Sequence, residues 1–116
     1  ATTVASGGAL QVQGGITVTE ALTLNGTGIA DDGALRNISG NNTLSGAITL
    51  GGATRINSDS GTLTLSGTKT GTGQALTVGG TGNVTISANG LNTGTGGTLT
   101  KDGTGTLALS VGSNYT

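Results

Sequence analysis

Cysteine, proline, methionine, tryptophan, phenylalanine and histidine are all missing from this 116-residue chain, which has a single tyrosine. Without cysteine there is no disulfide framework and no thiolate to act as nucleophile or zinc ligand, and without histidine there is no imidazole for proton transfer or metal binding. Charge is scarce as well: four Lys and Arg face five Asp and Glu, 8% of residues are charged, and the net charge is −1. Such a surface has no basic field to displace counterions from a nucleic acid or to hold an anionic membrane, so neither is an expected partner. No apolar run of about 18 residues occurs, and Ala1 to Gly8 contains no basic segment leading into an apolar one. Neither a membrane span nor a signal peptide is expected within these residues. A chain so rich in Thr, Gly, Asn and Ser and free of cysteine fits an exported protein better than a cytosolic one.

What is abundant is glycine, with 25 residues, and threonine, with 24. Gly-rich polar sequence can mean a flexible linker, but the 25 Leu, Ile and Val residues argue otherwise. Most stand in strictly alternating pairs: Leu10/Val12, Ile16/Val18, Leu22/Leu24, Ile48/Leu50, Leu63/Leu65, Leu76/Val78, Val84/Ile86 and Leu107/Leu109. Period two predicts short strands with one aliphatic face, and the Thr, Gln, Ala and Ser between the pairs predict a solvated, hydroxyl-rich opposite face. Gly-Gly, Asn-Gly, Asp-Gly and Gly-Thr-Gly separate the strands and supply tight turns. No helix of any length is expected.

The spacing selects among all-β architectures. The pairs recur at steps of six (Leu10, Ile16, Leu22), thirteen (Leu22 to Leu35, Leu63 to Leu76) and eight (Leu76 to Val84, Leu99 to Leu107), with some sides marked by one residue such as Leu44, Ile56 or Leu91. Three sides make a coil of about 20–22 residues, within the range of repeat solenoids. The sequence therefore predicts an all-β fold: a right-handed parallel β-helix, or β-solenoid, over residues 1–116, with three short strands per coil and about five coils. Leu, Ile and Val ladders fill a narrow interior that Phe or Trp would overfill, while Thr and Asn stack outside. An isolated stub of so few coils leaves an unpaired strand edge and open core at each end, which favours neighbours stacked on both.

Gly94-Thr-Gly-Gly-Thr-Leu-Thr-Lys-Asp-Gly-Thr-Gly-Thr-Leu-Ala-Leu-Ser110, followed by Ser113-Asn-Tyr-Thr116, resembles the autotransporter-associated β-strand repeat, or passenger-associated transport repeat, of bacterial surface β-helix passengers. The second half of that repeat's pattern opens the chain, at Thr2-Thr-Val-Ala-Ser-Gly-Gly-Ala-Leu-Gln-Val12, so tail and head together compose one repeat, lacking only the Gly expected after Tyr-Thr. The match at the tail covers about 20 residues; the middle is only generically similar. The resemblance implies a right-handed β-helical stalk at the outer surface of a Gram-negative-type cell, or outside it, with no enzymatic activity. The juncture of tail and head implies one unit of a longer tandem or head-to-tail array, a heterologous contact that extends into rods.

Candidate sites are few. Asp31-Asp32-Gly33 is the only acidic cluster, but it reads as a turn, since the Gly-Gly-x-Gly-x-Asp calcium repeat is absent. Glu20, Asp59 and Asp102 are scattered, which gives no pair of acids for sugar hydrolysis. Gly67-Thr-Lys-Thr70 lacks the Gly directly before Lys that a phosphate loop needs. Lys101 reads as a solvent-facing strand residue, and Tyr115 as a cap on a neighbouring coil. Sequons at Asn25, Asn37, Asn41, Asn83 and Asn114 are those that abundant Asn and Thr produce by chance. No catalytic, cofactor-binding or metal site is expected. The expected function is a structural one, an extracellular fibre or surface stalk whose partner is itself, with cell surface or matrix polysaccharide as a second contact. The alternative is an adhesin passenger binding host or matrix ligands. A third reading, ice binding, draws on Thr17/Thr19, Thr62/Thr64 and Thr98/Thr100, whose spacings do not place them on one face of every coil.

Overall fold

The computed structural model describes residues 2–29, 33–71, 73–87, 91–94, 97–109 and 114–115, with 91–94 and 114–115 as backbone alone. These residues are all β, without an α-helix, and wind as a right-handed parallel β-helix. The first coil consists of β1 (Thr2–Val4), β2 (Leu10–Gln13) and β3 (Thr17–Val18), and the second of β4 (Leu22–Gly26), β5 (Leu35–Ser39) and β6 (Asn42–Leu44). In the third, β7 (Ile48–Ser58) turns a corner, lays its first half on β4 and its second on β5, and is followed by β8 (Thr62–Leu65). The fourth contains β9 (Lys69–Thr70), β10 (Ala75–Gly79) and β11 (Asn83–Ile86); the fifth contains β12 (Leu91–Gly94), β13 (Thr98–Lys101) and β14 (Leu107–Leu109). Last comes β15 (Asn114–Tyr115).

Pairing sorts these strands into three faces, all parallel. The first face is β1-β4-β7-β9-β12-β15, the second β2-β5-β7-β10-β13 and the third β3-β6-β8-β11-β14. The second and third faces are each crossed five times among the described residues, so four full turns separate their first and last rungs, and the first face is reached a sixth time.

The alternation of the sequence is what fills the core. Leu22/Leu24, Ile48/Leu50, Leu63/Leu65, Leu76/Val78 and Val84/Ile86 are each exposed by 4% or less, stacked in register from coil to coil. Ile16 departs from the expectation: 44% exposed, it precedes β3, and its N–H donates to Asn42 Oδ1 at 2.8 Å. A corner position therefore satisfies its backbone and leaves its side chain outside.

Asparagine does not simply stack outside as expected. Asn37 and Asn42 are buried, at 0% and 1% exposure, on the inner side of the corner between the second and third faces. Asn42 Nδ2 donates to Asn37 Oδ1 and to Ser39 O, while Asn37 Nδ2 reaches Gly40 O, Ser58 Oγ and Ser60 O at 3.0–3.1 Å. The sharp turn turns carbonyls inward that no strand can pair, and short amides are the side chains that reach them. At the same corner Gly61 sits at φ +75°, and a Cβ there would stand 2.2 Å from Gly40 O on the rung below. Only glycine meets both demands.

Coil length is not uniform. Along the first face Thr2, Leu22, Ile48, Lys69 and Leu91 follow at steps of 20, 26, 21 and 22 residues. The long step comes from an excursion after β4, closed at its base by Gly33 N–H donating to Thr27 O at 2.8 Å, with Ile29 59% exposed on it.

Candidate stacking ends and lateral faces

The outward positions of the first and third faces form single-file threonine rows. Thr3, Thr23, Thr49 and Thr70 are in register on the first, and Thr17, Thr43, Thr64 and Thr85 on the third, where Ala108 ends the row. The Thr-x-Thr pairs do not stack as pairs: Thr64 continues the row of Thr17, but Thr62 meets Asn83. Among the described residues, the Thr-x-Thr pairs on which the third reading of the sequence draws do not repeat from coil to coil.

The second face carries charge instead. Arg36 Nε donates to Asp59 Oδ2 at 2.8 Å, Asn57 Nδ2 to Asp59 Oδ1 at 2.8 Å, and Arg55 Nη2 to Asn57 Oδ1 at 3.0 Å. Arg55 then forks onto Asp102, Nη1 to Oδ2 at 2.7 Å and Nη2 to Oδ1 at 2.6 Å. That fork skips a whole rung, and it can do so because the rung between contributes Gly79: a Cβ there would lie 2.0 Å from Asp102 Oδ1 and 2.2 Å from Arg55 Nη2. The Arg36 hydrogen bond, joined by that from Asn57, holds the Asp59 carboxyl below its ordinary range, and Arg55 does the same for Asp102. Two acids described as scattered in sequence thus share one network, but each is neutralised by its own guanidinium. Glu20 lies elsewhere, exposed, its carboxyl lowered by a hydrogen bond with Thr2. Among the described residues no three His, Cys, Asp or Glu gather.

Lys69 is the residue that sequence reading missed. It takes an inward place in the aliphatic ladder, in register with Ile48 below and Leu91 above, and is 3% exposed. Its ammonium donates to Leu65 O at 2.9 Å and to Gly67 O, and burial pushes its pKa down to about 8. The signal was its spacing, one coil from Ile48 and one from Leu91, which becomes visible only when the coil period is fixed.

Of the other sequence candidates, Asp31 and Asp32 lie outside the described residues, as do the side chains of Asn114 and Tyr115, whose backbone pairs in β15. Lys101 is exposed as expected, but it is in register with Val78, a core residue. It takes an inner position with no described rung above it, and its Nζ donates to Asp102 O and Gly103 O, at 2.5 and 3.4 Å. Asn37 is buried; Asn41 Oδ1 and Asn83 Oδ1 accept from the N–H groups of Thr62 and Thr106, and Asn25 Nδ2 donates to Val4 O.

The two ends complete the picture. Among the described residues, β1, β2 and β3 at one end each pair on one side only, and β13, β14 and β15 at the other do the same. Leu10 and Val18 at the first end, and Leu99 and Leu107 at the second, pack on the core but remain half-buried, and Leu109 is 39% exposed, whereas Ile86 one rung inward is at 0%. Comparison with protein-family models, with curated proteins and with solved structures finds no match.

Proposed function

We propose that this chain is a non-catalytic structural segment of an extracellular bacterial fibre or surface stalk, extended end to end through its strand edges and aliphatic core. The observation that carries this reading is the contrast between sides and ends. The sides present hydroxyl rows and carboxylates already paired with guanidinium groups, which offer little for a partner to neutralise. The first and last described rungs each leave one strand edge unpaired, with Leu10, Val18, Leu99 and Leu107 only half-buried beside buried Val4 and Val12, a template for another parallel rung. The head and tail resemblance to one split bacterial passenger repeat supports the location outside the cell. The composition agrees, since a chain without Cys and with few charges needs no redox handling during export.

Electron microscopy of the purified protein over a concentration series tests this. Rods one solenoid wide that lengthen with concentration are expected. Particles that stay one chain long at every concentration overturn the reading.

A further inference from the structure

The aliphatic ladder of the first face is broken at one place. Its inward pairs are Leu22/Leu24 on the second coil and Ile48/Leu50 on the third, but on the fourth the corresponding places are held by Lys69 and Gly71. A Cβ on Gly71 would stand 2.6 Å from Leu50 Cβ, so the rung adds no aliphatic side chain to this face. Among the described strands, β9 is also the shortest that has rungs both below and above it, joined by two residue pairs to β7 and by two to β12.

No charge on the neighbouring strands balances that of Lys69. β4, β8, β10, β11 and β12 carry no titratable residue, and β7 carries only Arg55, whose guanidinium lies on the second face against Asp102. Arg36 holds Asp59, and exposed Glu20 bonds Thr2. Among the described residues the partners of the ammonium are two carbonyls, Leu65 O and Gly67 O, and an ion 3% exposed without a counter-charge is costly to keep. The least costly relief is local. Letting β9 out to water uncovers no aliphatic side chain of its own and breaks few backbone pairs. The other faces of the same coil are held far better: Leu76, Val78, Val84 and Ile86 are exposed by 2% or less, and the Arg55–Asp102 pair laps over the rung from outside.

We infer that β9 is a proton-controlled flap: with the Lys69 amine protonated it swings out from between β7 and β12 while the second and third faces of its coil stay paired, and with the amine neutral it seats. The sign follows from linkage. Burial brings the amine's pKa down from 10.5 to about 8 in the closed coil, so the open form binds more protons between those values and gains on the closed form as pH falls. Across that interval the ratio of open to closed changes by up to about 300-fold. The stack thus yields at one strand in its middle in neutral solution and stiffens in alkali, whether or not copies assemble into fibres.

Amide hydrogen exchange on the full chain, resolved by residue, tests this. Ile48 N–H, which donates to Thr68 O at 2.7 Å, reports the flap together with the amides of Lys69 and Thr70. Val84 N–H on Thr106 O, Ser87 N–H on Leu65 O and Asp102 N–H on Val78 O report the other two faces. Rates are divided by those of the chain unfolded in urea, which removes base catalysis. At neutral pH the flap amides are expected to exchange faster than the others and to ignore sub-denaturing urea, since a local opening exposes little surface. From about pH 7 to about pH 10.5 they should gain up to about 300-fold in protection. In Lys69→Met they should be slow at neutral pH and indifferent to pH. Flap amides that match the other faces in rate and in urea dependence overturn the inference, because the chain then opens only as a whole. Fast flap amides that do not respond to pH overturn it too, because the opening is then not governed by the amine. The pH and urea series on the unmodified chain decides both points should the variant fail to fold.

Discussion

Thr62-Leu-Thr-Leu65 and Thr98-Leu-Thr-Lys101 share three of four residues, but they fare differently. Leu63 and Leu65 in the middle of the stack are at 0% exposure, while Leu99, on the last rung of the second face, is only half-buried and Lys101 is open to solvent. In a solenoid, then, burial is not a property of the residue or even of its strand. Neighbouring rungs add to it, as nearest-neighbour coupling requires, although Val4 and Val12 on the first described rung are at 7% and 3% with a rung on one side only.

Substitutions that probe this difference divide by rung. Leu63→Ala is expected to cost about 3 kcal/mol in urea unfolding, because both neighbouring rungs hold the cavity open. Gly61→Ala, at a corner of the same coil, is expected to cost about 2–3 kcal/mol, since the methyl meets the Gly40 carbonyl at 2.2 Å with φ at +75°.

Lys69 sharpens the comparison by placing a cation where the middle of the stack demands an aliphatic residue. Its pKa falls from 10.5 to about 8 in the folded chain, so between those values the unfolded chain binds more protons and stability rises with pH. Lys69→Met is expected to raise stability at neutral pH by about 2 kcal/mol and to flatten the alkaline rise; an unchanged pH profile in the variant contradicts the buried placement. Asp59→Asn is expected to lose about 1 kcal/mol at neutral pH. With the Asp59 carboxyl held below its ordinary range, that contribution is present above the unfolded pKa and fades as pH falls through the folded value. Parent and variant should therefore converge in acid.

Leu109→Ala, on the final rung of the third face, completes the series with a loss under about 0.5 kcal/mol for the single chain. In filaments its cost should rise toward that of Leu63→Ala, and an equal cost in both states breaks the argument from neighbours.

The sequence made the strands legible because period two survives any coil length: every pair from Leu22/Leu24 to Val84/Ile86 lands in the core. Contacts between coils were not legible. Arg36 and Asp59 are 23 residues apart, and Arg55 and Asp102 are 47 apart. Pairing them needs the coil period, which the six-residue difference between the first two steps on the first face obscures. Lys69 escaped for the same reason, since nothing local distinguishes an inward Lys from an outward one. Asn37 and Asn42 look like surface turn residues until the inner side of the corner is seen to need amide donors.

The long second step also shows where this architecture accepts change. Between β4 and β5 the second coil carries the extra residues of that step, Gly33 N–H donates to Thr27 O, and β5 still pairs with β2 below and β7 above. That pinch works as a splice site. A peptide tag or small domain grafted there would ride outside the stack without altering its winding.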